Sequence, residues 1–84
     1  MTRPIADYPS AIETGLYRHY KGKDYVVYGS VTHSETEEVL VLYAPVVQTE
    51  AGLAEPARLW VRPLAMFTES VDIEGKIVPR FQKL

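Results

Sequence analysis

The sequence GLYRHYKGKDYVVYGSVTHSETEEVLVLY, residues 15–43, decides the fold. It contains three runs of apolar and aromatic residues, separated by the polar turns Lys21–Asp24 and His33–Glu37. Gly22 suits the first turn, because glycine adopts a positive φ without steric cost. Runs rich in β-forming residues and joined by short polar turns are typical of consecutive hairpins. The stretch therefore predicts three antiparallel strands in succession.

The remaining sequence continues this pattern of short runs bounded by turn residues. Pro63 is well placed to begin one short helical turn near Pro63–Phe67, which must dock on the sheet because it is too short to be stable alone. Residues 46–58 stay unassigned, as an extension of the third strand or as a hairpin arm followed by a polar loop. The predicted strands are Leu16–Tyr20, Asp24–Thr32, Val39–Ala44, Leu59–Arg62 and two pieces of Val71–Val78 on either side of Glu74–Gly75.

Short strands of this kind predict an all-β fold. For one domain of 84 residues, a small SH3-like antiparallel barrel is economical, because a closed sheet protects its own edges. We expect residues 1–14 to form an N-terminal arm and residues 15–84 to form the single small barrel domain.

The second predicted strand sets the expected core. Strict alternation places Tyr25, Val27 and Val31 on one face, while Gly29 indicates a bulge or a sharp bend. We predict a core made of Leu16, Tyr25, Val27, Val31, Val39, Val41, Leu59, Val61, Leu64, Phe67 and Val71.

Composition limits the function more than it defines it. The net charge is −2, which disfavours bulk attraction to nucleic acid or to an anionic membrane. There is no cysteine, so neither disulfides nor a thiol nucleophile is available. No apolar run approaches a membrane span, and the N-terminus lacks the apolar core of a secretory signal. We therefore expect a cytoplasmic protein that has no membrane partner.

Four short motifs follow one another along the chain: G-x-Y-x-H-Y-K-G-x-x-Y at residues 15–25, H-S-E-T at 33–36, W-x-R-P-x-x-M-F at 60–67 and P-R-F at 79–81. In these motifs the chain resembles a small bacterial domain family of unknown function, catalogued under number 1653. The resemblance spans Gly15 to Phe81 and implies a compact bacterial domain without an assigned activity. It marks Tyr17, His19, Tyr20, His33, Ser34, Glu35, Thr36, Trp60, Arg62 and Arg80 as positions of interest.

The H-S-E-T turn contains residue types used in catalysis. A catalytic triad needs a base and a nucleophile that meet in space, and neighbours within one turn rarely align in that way. Ser34 and Thr36 more simply satisfy turn amides. The interpretation of His19, His33 and Glu35 as a metal site is likewise less well supported than one in which each histidine only forms hydrogen bonds. We predict no catalytic residues, no metal ligands and no cofactor.

Basic and aromatic residues alternate elsewhere in the chain. Such interleaving is found in binders of single-stranded nucleic acid, but one or two arginines also suffice for a carboxylate or phosphate. Arginine paired with Glu35 or Glu69 is the simpler interpretation. We expect one polar cluster around the H-S-E-T turn that includes an arginine. The candidate ligand-binding residues are Arg18, His33, Ser34, Glu35, Thr36, Trp60, Arg62 and Arg80.

The sequence therefore predicts a non-catalytic binding or adaptor module for a small anionic ligand or a protein partner. Two alternatives stay open: a module that binds single-stranded nucleic acid, and a small hydrolase that uses the region of His33 and Glu35.

Overall fold

The fold is seen in a computed structural model that describes residues 9–54 and 58–84. It is mainly β with one short helix, as the sequence predicts. The strands are β1 (Gly15–His19), β2 (Asp24–Thr32), β3 (Val39–Pro45), β4 (Val47–Thr49), β5 (Gly52–Ala54), β6 (Trp60–Pro63), β7 (Ser70–Ile73), β8 (Lys76–Pro79) and β9 (Phe81–Lys83), and the helix α1 (Leu64–Phe67) follows β6.

Five strands form an antiparallel sheet in the order β6-β3-β2-β1-β9. The turn between β1 and β2 is tight, since Gly22 N donates to His19 O at 2.7 Å and His19 N donates to Lys23 O at 2.8 Å. The predicted consecutive hairpins are confirmed, and each predicted strand of this sheet agrees with the observed one to within a residue at either end.

Two small hairpins stand outside the main sheet. Strands β4 and β5 form one of them, so the unassigned region begins with a hairpin, and residues 55–57 lie outside the described residues. Strands β7 and β8 form the other. The predicted turn at Glu74–Gly75 is confirmed there, with Glu74 and Gly75 both at positive φ.

Residues 1–8 of the predicted N-terminal arm lie outside the described residues. The following residues contact the domain. Ala11 N donates to Ser30 Oγ at 2.8 Å, and Tyr17 Oη donates to Glu13 O at 2.7 Å. Ile12 packs against the core. Residues 11–13 are therefore attached to the core-facing side of β1 and β2.

The core lies on one face of the sheet and is largely aromatic. Phe67 of α1 stacks on Phe81 at 4.0 Å between ring centroids and meets Tyr17 and Tyr43 edge-on. The prediction is confirmed for Val27, Val41 and Phe67, while Tyr25 and Leu64 are partly buried against this cluster. The prediction missed Tyr17, Tyr43 and Phe81 of this cluster. It also missed Leu40 and Ala44, which are buried on the other face of β3.

The remaining core predictions need correction. Leu16, Val31, Val39, Leu59 and Val61 are exposed, and Val71 is half-buried in the β7–β8 hairpin. A register shift between Val27 and Gly29 inserts one extra residue into β2, so Ser30 and Thr32, rather than Val31, share the core-facing side. Leu16 pairs with Val26 and Val61 pairs with Leu42, which places both on the opposite face.

Closure into a barrel is not observed. Strands β6 and β9 are the outer strands, and among the described residues no ladder joins them. Both strands are short, and Pro63 has no N–H to donate. The stacked Phe67 and Phe81 rings, with the Arg62 guanidinium 5.5 Å from the Phe81 centroid, fill the space between the two strands. Side chains therefore cover the core where the predicted barrel would have closed.

The only helix found in the described part of the chain is α1, which has four residues. No helix there is long and apolar enough to cross a membrane.

Candidate functional site

The H-S-E-T segment forms the turn between β2 and β3, and its side chains shape that turn. His33 Nδ1 accepts hydrogen bonds from Glu35 N at 3.0 Å and Thr36 N at 3.3 Å. Thr36 Oγ1 accepts from Glu38 N at 3.2 Å. The prediction that side-chain hydroxyls accept hydrogen bonds from turn amides is correct for Thr36. The other two turn amides donate to the His33 imidazole. The turn thus uses His33 and Thr36 as structural acceptors.

The predicted arginine cluster does not form around this turn. Arg18 pairs with Asp24 at 2.7 Å, and Arg80 pairs with Glu69 at 2.6 Å. Within the described ranges, Glu35 forms no ion pair. The register explains the difference, because Arg18 lies opposite Asp24 beside the β1–β2 turn, whereas β2 continues past the start of β1 before it reaches His33.

The same register separates the two histidines. His19 ends β1 at one end of the sheet, and His33 follows β2 at the other. The metal set His19, His33 and Glu35 is therefore not assembled. In the described residues no three His, Asp or Glu side chains are grouped as metal ligands.

A different group of residues meets on the core-facing side. We call it the Arg62 site and define it as His19, Tyr25, Trp60, Arg62 and Phe81. Tyr25 lies 6.2 Å from Trp60 and 5.6 Å from Phe81, and His19 lies 4.9 Å from Phe81, all between ring centroids. The β-ladders explain the meeting, because Arg62 and Trp60 pair with Val41 and Tyr43 of β3, while Phe81 pairs with His19.

Arg62 differs from Arg18 and Arg80 in its contacts. Arg18 and Arg80 each contact a carboxylate, whereas Arg62 has neither an ion pair nor a hydrogen bond from its side chain within residues 9–54 and 58–84. Its guanidinium lies 5.5 Å from the centroid of the Phe81 ring. Cation–π contact stabilises a positive charge on a ring face but leaves the N–H groups without acceptors.

The electrostatic surroundings of this site are positive. Burial and the charges of Arg62, Lys21 and Arg80 hold the pKa of His19 below its usual range. His19 Nδ1 accepts from Lys21 N at 3.1 Å, so the neutral ring carries its proton on Nε2. Among the described residues, Arg80 Nε is buried without a hydrogen-bond partner, while Nη2 of the same guanidinium donates to Glu69. Positive charge is thus concentrated here although the whole chain is acidic.

Residues 15–83 match the model of a family described as a protein of unknown function, DUF1653. The chain belongs to the DUF1653 family. A DUF1653 protein from Bordetella bronchiseptica, known from its crystal structure, is similar to this chain, with 32% sequence identity, 88% of each chain covered and a TM-score of 0.72. A search of curated proteins gives no match. The resemblance seen in the four motifs is confirmed.

The DUF1653 domain also has a cleft of about 280 Å³ near the β1–β2 turn, lined by residues that include Arg18, His19, Tyr20 and Gln82. Arg18 and Gln82 pair across β1 and β9, on the face opposite to the core. Because Asp24 already neutralises Arg18, this cleft attracts an anion less strongly than the Arg62 site does.

Sequence analysis identified Trp60, Arg62 and Arg80 but missed His19, Tyr25 and Phe81 as their neighbours in the DUF1653 domain. The alternation of basic and aromatic residues was the available signal. It did not show which rings meet, because the meeting depends on the non-local pairing of β1 with β9 and of β3 with β6.

The position of Arg62 makes a testable prediction about His19. Because the pKa of His19 is lower in the folded DUF1653 domain than in the unfolded chain, the unfolded chain binds more protons below pH about 6.5. The free energy of unfolding should therefore fall as the pH is lowered through that range. Arg62→Gln removes a neighbouring positive charge and should raise the pKa of His19, measured by NMR titration of the imidazole protons.

Arg18→Gln is the matched control, because Arg18 is not among the charges that lower the pKa of His19. An unchanged pKa in both variants would show that Arg62 does not act on this imidazole.

Proposed function

We propose that this DUF1653 domain is a non-catalytic binding module that holds a small anionic ligand on Arg62. The observation that supports this most directly is that Arg62 is half-buried, with its guanidinium 5.5 Å from the centroid of the Phe81 ring, and has no acidic partner in the described residues. Burial of an arginine is costly unless its charge is paired. An anion supplied from solution would complete this arrangement.

The chemistry of the site favours a carboxylate or a phosphate. A guanidinium presents several N–H donors in a planar fork that matches two oxygens of such a group. Surrounding rings lower the local dielectric, which strengthens the charge-assisted hydrogen bonds that an anion would make. The charge of Lys21 adds long-range attraction to the same place, and Arg80 adds less, because Glu69 pairs with it.

The proposal keeps three of the candidate ligand-binding residues. Arg62 is the anchor, Trp60 forms a wall beside it, and Arg80 contributes charge. The structure gives the remaining candidates other partners or a place in the β2–β3 turn; these are Arg18, His33, Ser34, Glu35 and Thr36.

The non-catalytic part of the proposal is supported by the H-S-E-T turn. His33 Nδ1 already accepts two turn amides, and in the described part of the chain Ser34 makes no side-chain hydrogen bond to His33. A base that is committed to the backbone and has no aligned nucleophile lacks the arrangement that a hydrolase needs. The absence of cysteine agrees with the reducing environment of the cytoplasm, which we include in the proposal.

The test uses the only tryptophan of the chain as its reporter. Trp60 lies two residues from Arg62 in the same strand, so an anion bound at Arg62 should change its fluorescence. We expect inorganic phosphate, pyrophosphate or citrate, at constant ionic strength, to shift the Trp60 emission and raise the melting temperature. Arg62→Gln should weaken the response at least about tenfold, the loss of about 1.4 kcal/mol of binding.

Arg18→Gln removes the same charge from the opposite face of the sheet and should keep the full response. Equal responses in Arg62→Gln and in the unmodified protein would contradict the proposal. So would the absence of any response to all three anions.

A further inference from the structure

We infer that the anion held at the Arg62 site is the phosphate of a nucleotide unit whose base stacks on Trp60. This inference rests on the proposed function and names its ligand class. Three observations carry it: the pairing of cations with rings, the spacing of Trp60 and Arg62, and the distribution of charge along the sheet.

Three cations of the described residues lie close to aromatic rings, and two of them, Lys21 and Lys23, belong to the β1–β2 turn. Arg62 lies 5.5 Å from the centroid of Phe81, Lys23 lies 5.9 Å from that of Tyr25, and Lys21 lies 5.8 Å from that of Tyr20. Ligands that are only anionic need the cations but not the rings. Nucleotides need both, because the base offers a π-face and the phosphate offers charge.

Trp60 and Arg62 are spaced to contact both parts of one nucleotide. They are two residues apart in β6 and point to the same side of the sheet, about 7 Å from each other along the strand. This separation is comparable to the span between the base and the 5′-phosphate of a nucleotide. Trp60 keeps 38% of its surface exposed, while Tyr25 and Tyr43 contact its ring and restrict its orientation.

The charge distribution limits how long the ligand can be. Glu35, Glu37 and Glu38 lie in the β2–β3 turn at the opposite end of β2, and all three are exposed. A long strand of nucleic acid crossing the sheet would meet these carboxylates, and the net charge of −2 gives it no general attraction. One nucleotide unit, either free or at one position of a single strand, fits the positive end alone.

Four small probes separate the two parts of the ligand: inorganic phosphate, ribose 5-phosphate, uridine 5′-monophosphate and uridine. Trp60 fluorescence, excited at the red edge of its absorption to avoid the bases, and isothermal calorimetry report binding. We expect uridine 5′-monophosphate to bind about tenfold tighter than ribose 5-phosphate, the effect of about 1.4 kcal/mol that one stacked base provides. Uridine should bind weakly, because it has no phosphate for Arg62.

Two variants at Trp60 assign the gain to stacking. Trp60→Leu, followed by calorimetry, should reduce the affinity for uridine 5′-monophosphate more than that for ribose 5-phosphate, so that the tenfold difference between the two ligands disappears. Trp60→Tyr keeps a stacking ring and should retain part of the gain. Circular dichroism verifies that both variants fold, and Trp60→Tyr keeps the test valid if Trp60→Leu does not.

The outcomes distinguish this inference from the proposed function. If ribose 5-phosphate and uridine 5′-monophosphate bind equally, the inference is overturned while anion binding at Arg62 stands. If no phosphate compound binds, the inference is also overturned. An oligothymidylate of eight residues identifies the source: tighter binding than the mononucleotide, with steep salt dependence, indicates a single strand, whereas equal affinity indicates a free nucleotide.

Discussion

Replacing Phe67 by alanine is expected to lower the free energy of unfolding by about 3–5 kcal/mol, the range for removal of a buried aromatic side chain. Phe67 is only 1% exposed and contacts three rings, stacking on Phe81 and meeting Tyr17 and Tyr43 edge-on. A chain of 84 residues has a total stability of roughly 4–13 kcal/mol. The substitution should therefore remove a large part of it, measured by urea denaturation.

The control lies in the same helix. Met66 is 49% exposed, so Met66→Ala should change the stability by less than about 0.5 kcal/mol. Because 1 kcal/mol corresponds to about 4–8 °C in a domain of this size, the two melting temperatures should differ clearly. Similar losses in both variants would mean that α1 does not complete the core through Phe67.

This role of Phe67 follows from the open sheet. A barrel seals its core with a continuous ladder, but here β6 and β9 are separated by side chains. The single turn of helix that the sequence predicted at Pro63–Phe67 brings Phe67 into that space. Pattern alone indicated the helix and the burial of Phe67. It did not indicate that the ring replaces a strand pairing, because that depends on the lengths of β6 and β9 once they are paired.

For the candidate site, too, the sequence predicted local features but not the contacts between distant strands. Turn chemistry correctly predicted that the H-S-E-T segment connects two strands, since it depends on neighbours in sequence. The predicted arginine partners of Glu35 were wrong. An arginine side chain pairs with the carboxylate that the strand register brings near it, and for Arg18 that carboxylate is Asp24. The Arg62 site combines residues of the β1–β2 hairpin with residues of β6 and β9, which are distant from it in sequence. The interleaved motifs could therefore indicate its residue types but not its members.

Gly29 connects the sequence, the register and the core. Its φ is 155°, a backbone conformation that residues other than glycine rarely adopt. It lies where the pairing of β2 with β3 shifts by one residue. Sequence analysis recognised the bulge but continued the alternation through it, which placed Val31 in the core. Counting the extra residue would have placed Ser30 on the core-facing side instead, where it pairs with the buried Val41.

Gly29→Ala should therefore lower the free energy of unfolding by about 1–3 kcal/mol, the cost of holding a residue in such a region. Crowding by the described residues is not the cause, because the nearest of their atoms to a Cβ at this position is Ser10 Oγ at 3.7 Å, an ordinary van der Waals distance. Thr32→Val, an exposed substitution in the same strand, should have little effect on the denaturation midpoint.

If Gly29→Ala instead relieved the strain by losing the bulge, every residue of β2 after Val27 would change faces, because side chains alternate strictly along a strand. Val31 would then enter the core, and Ser30 would leave its contact with Ala11. Amide hydrogen exchange across the ladder from Gly29 to Thr32 would report that slip, whereas strain alone leaves the ladder protected and only less stable. Full stability with an unchanged exchange pattern would show that neither the φ of Gly29 nor the bulge limits this sheet.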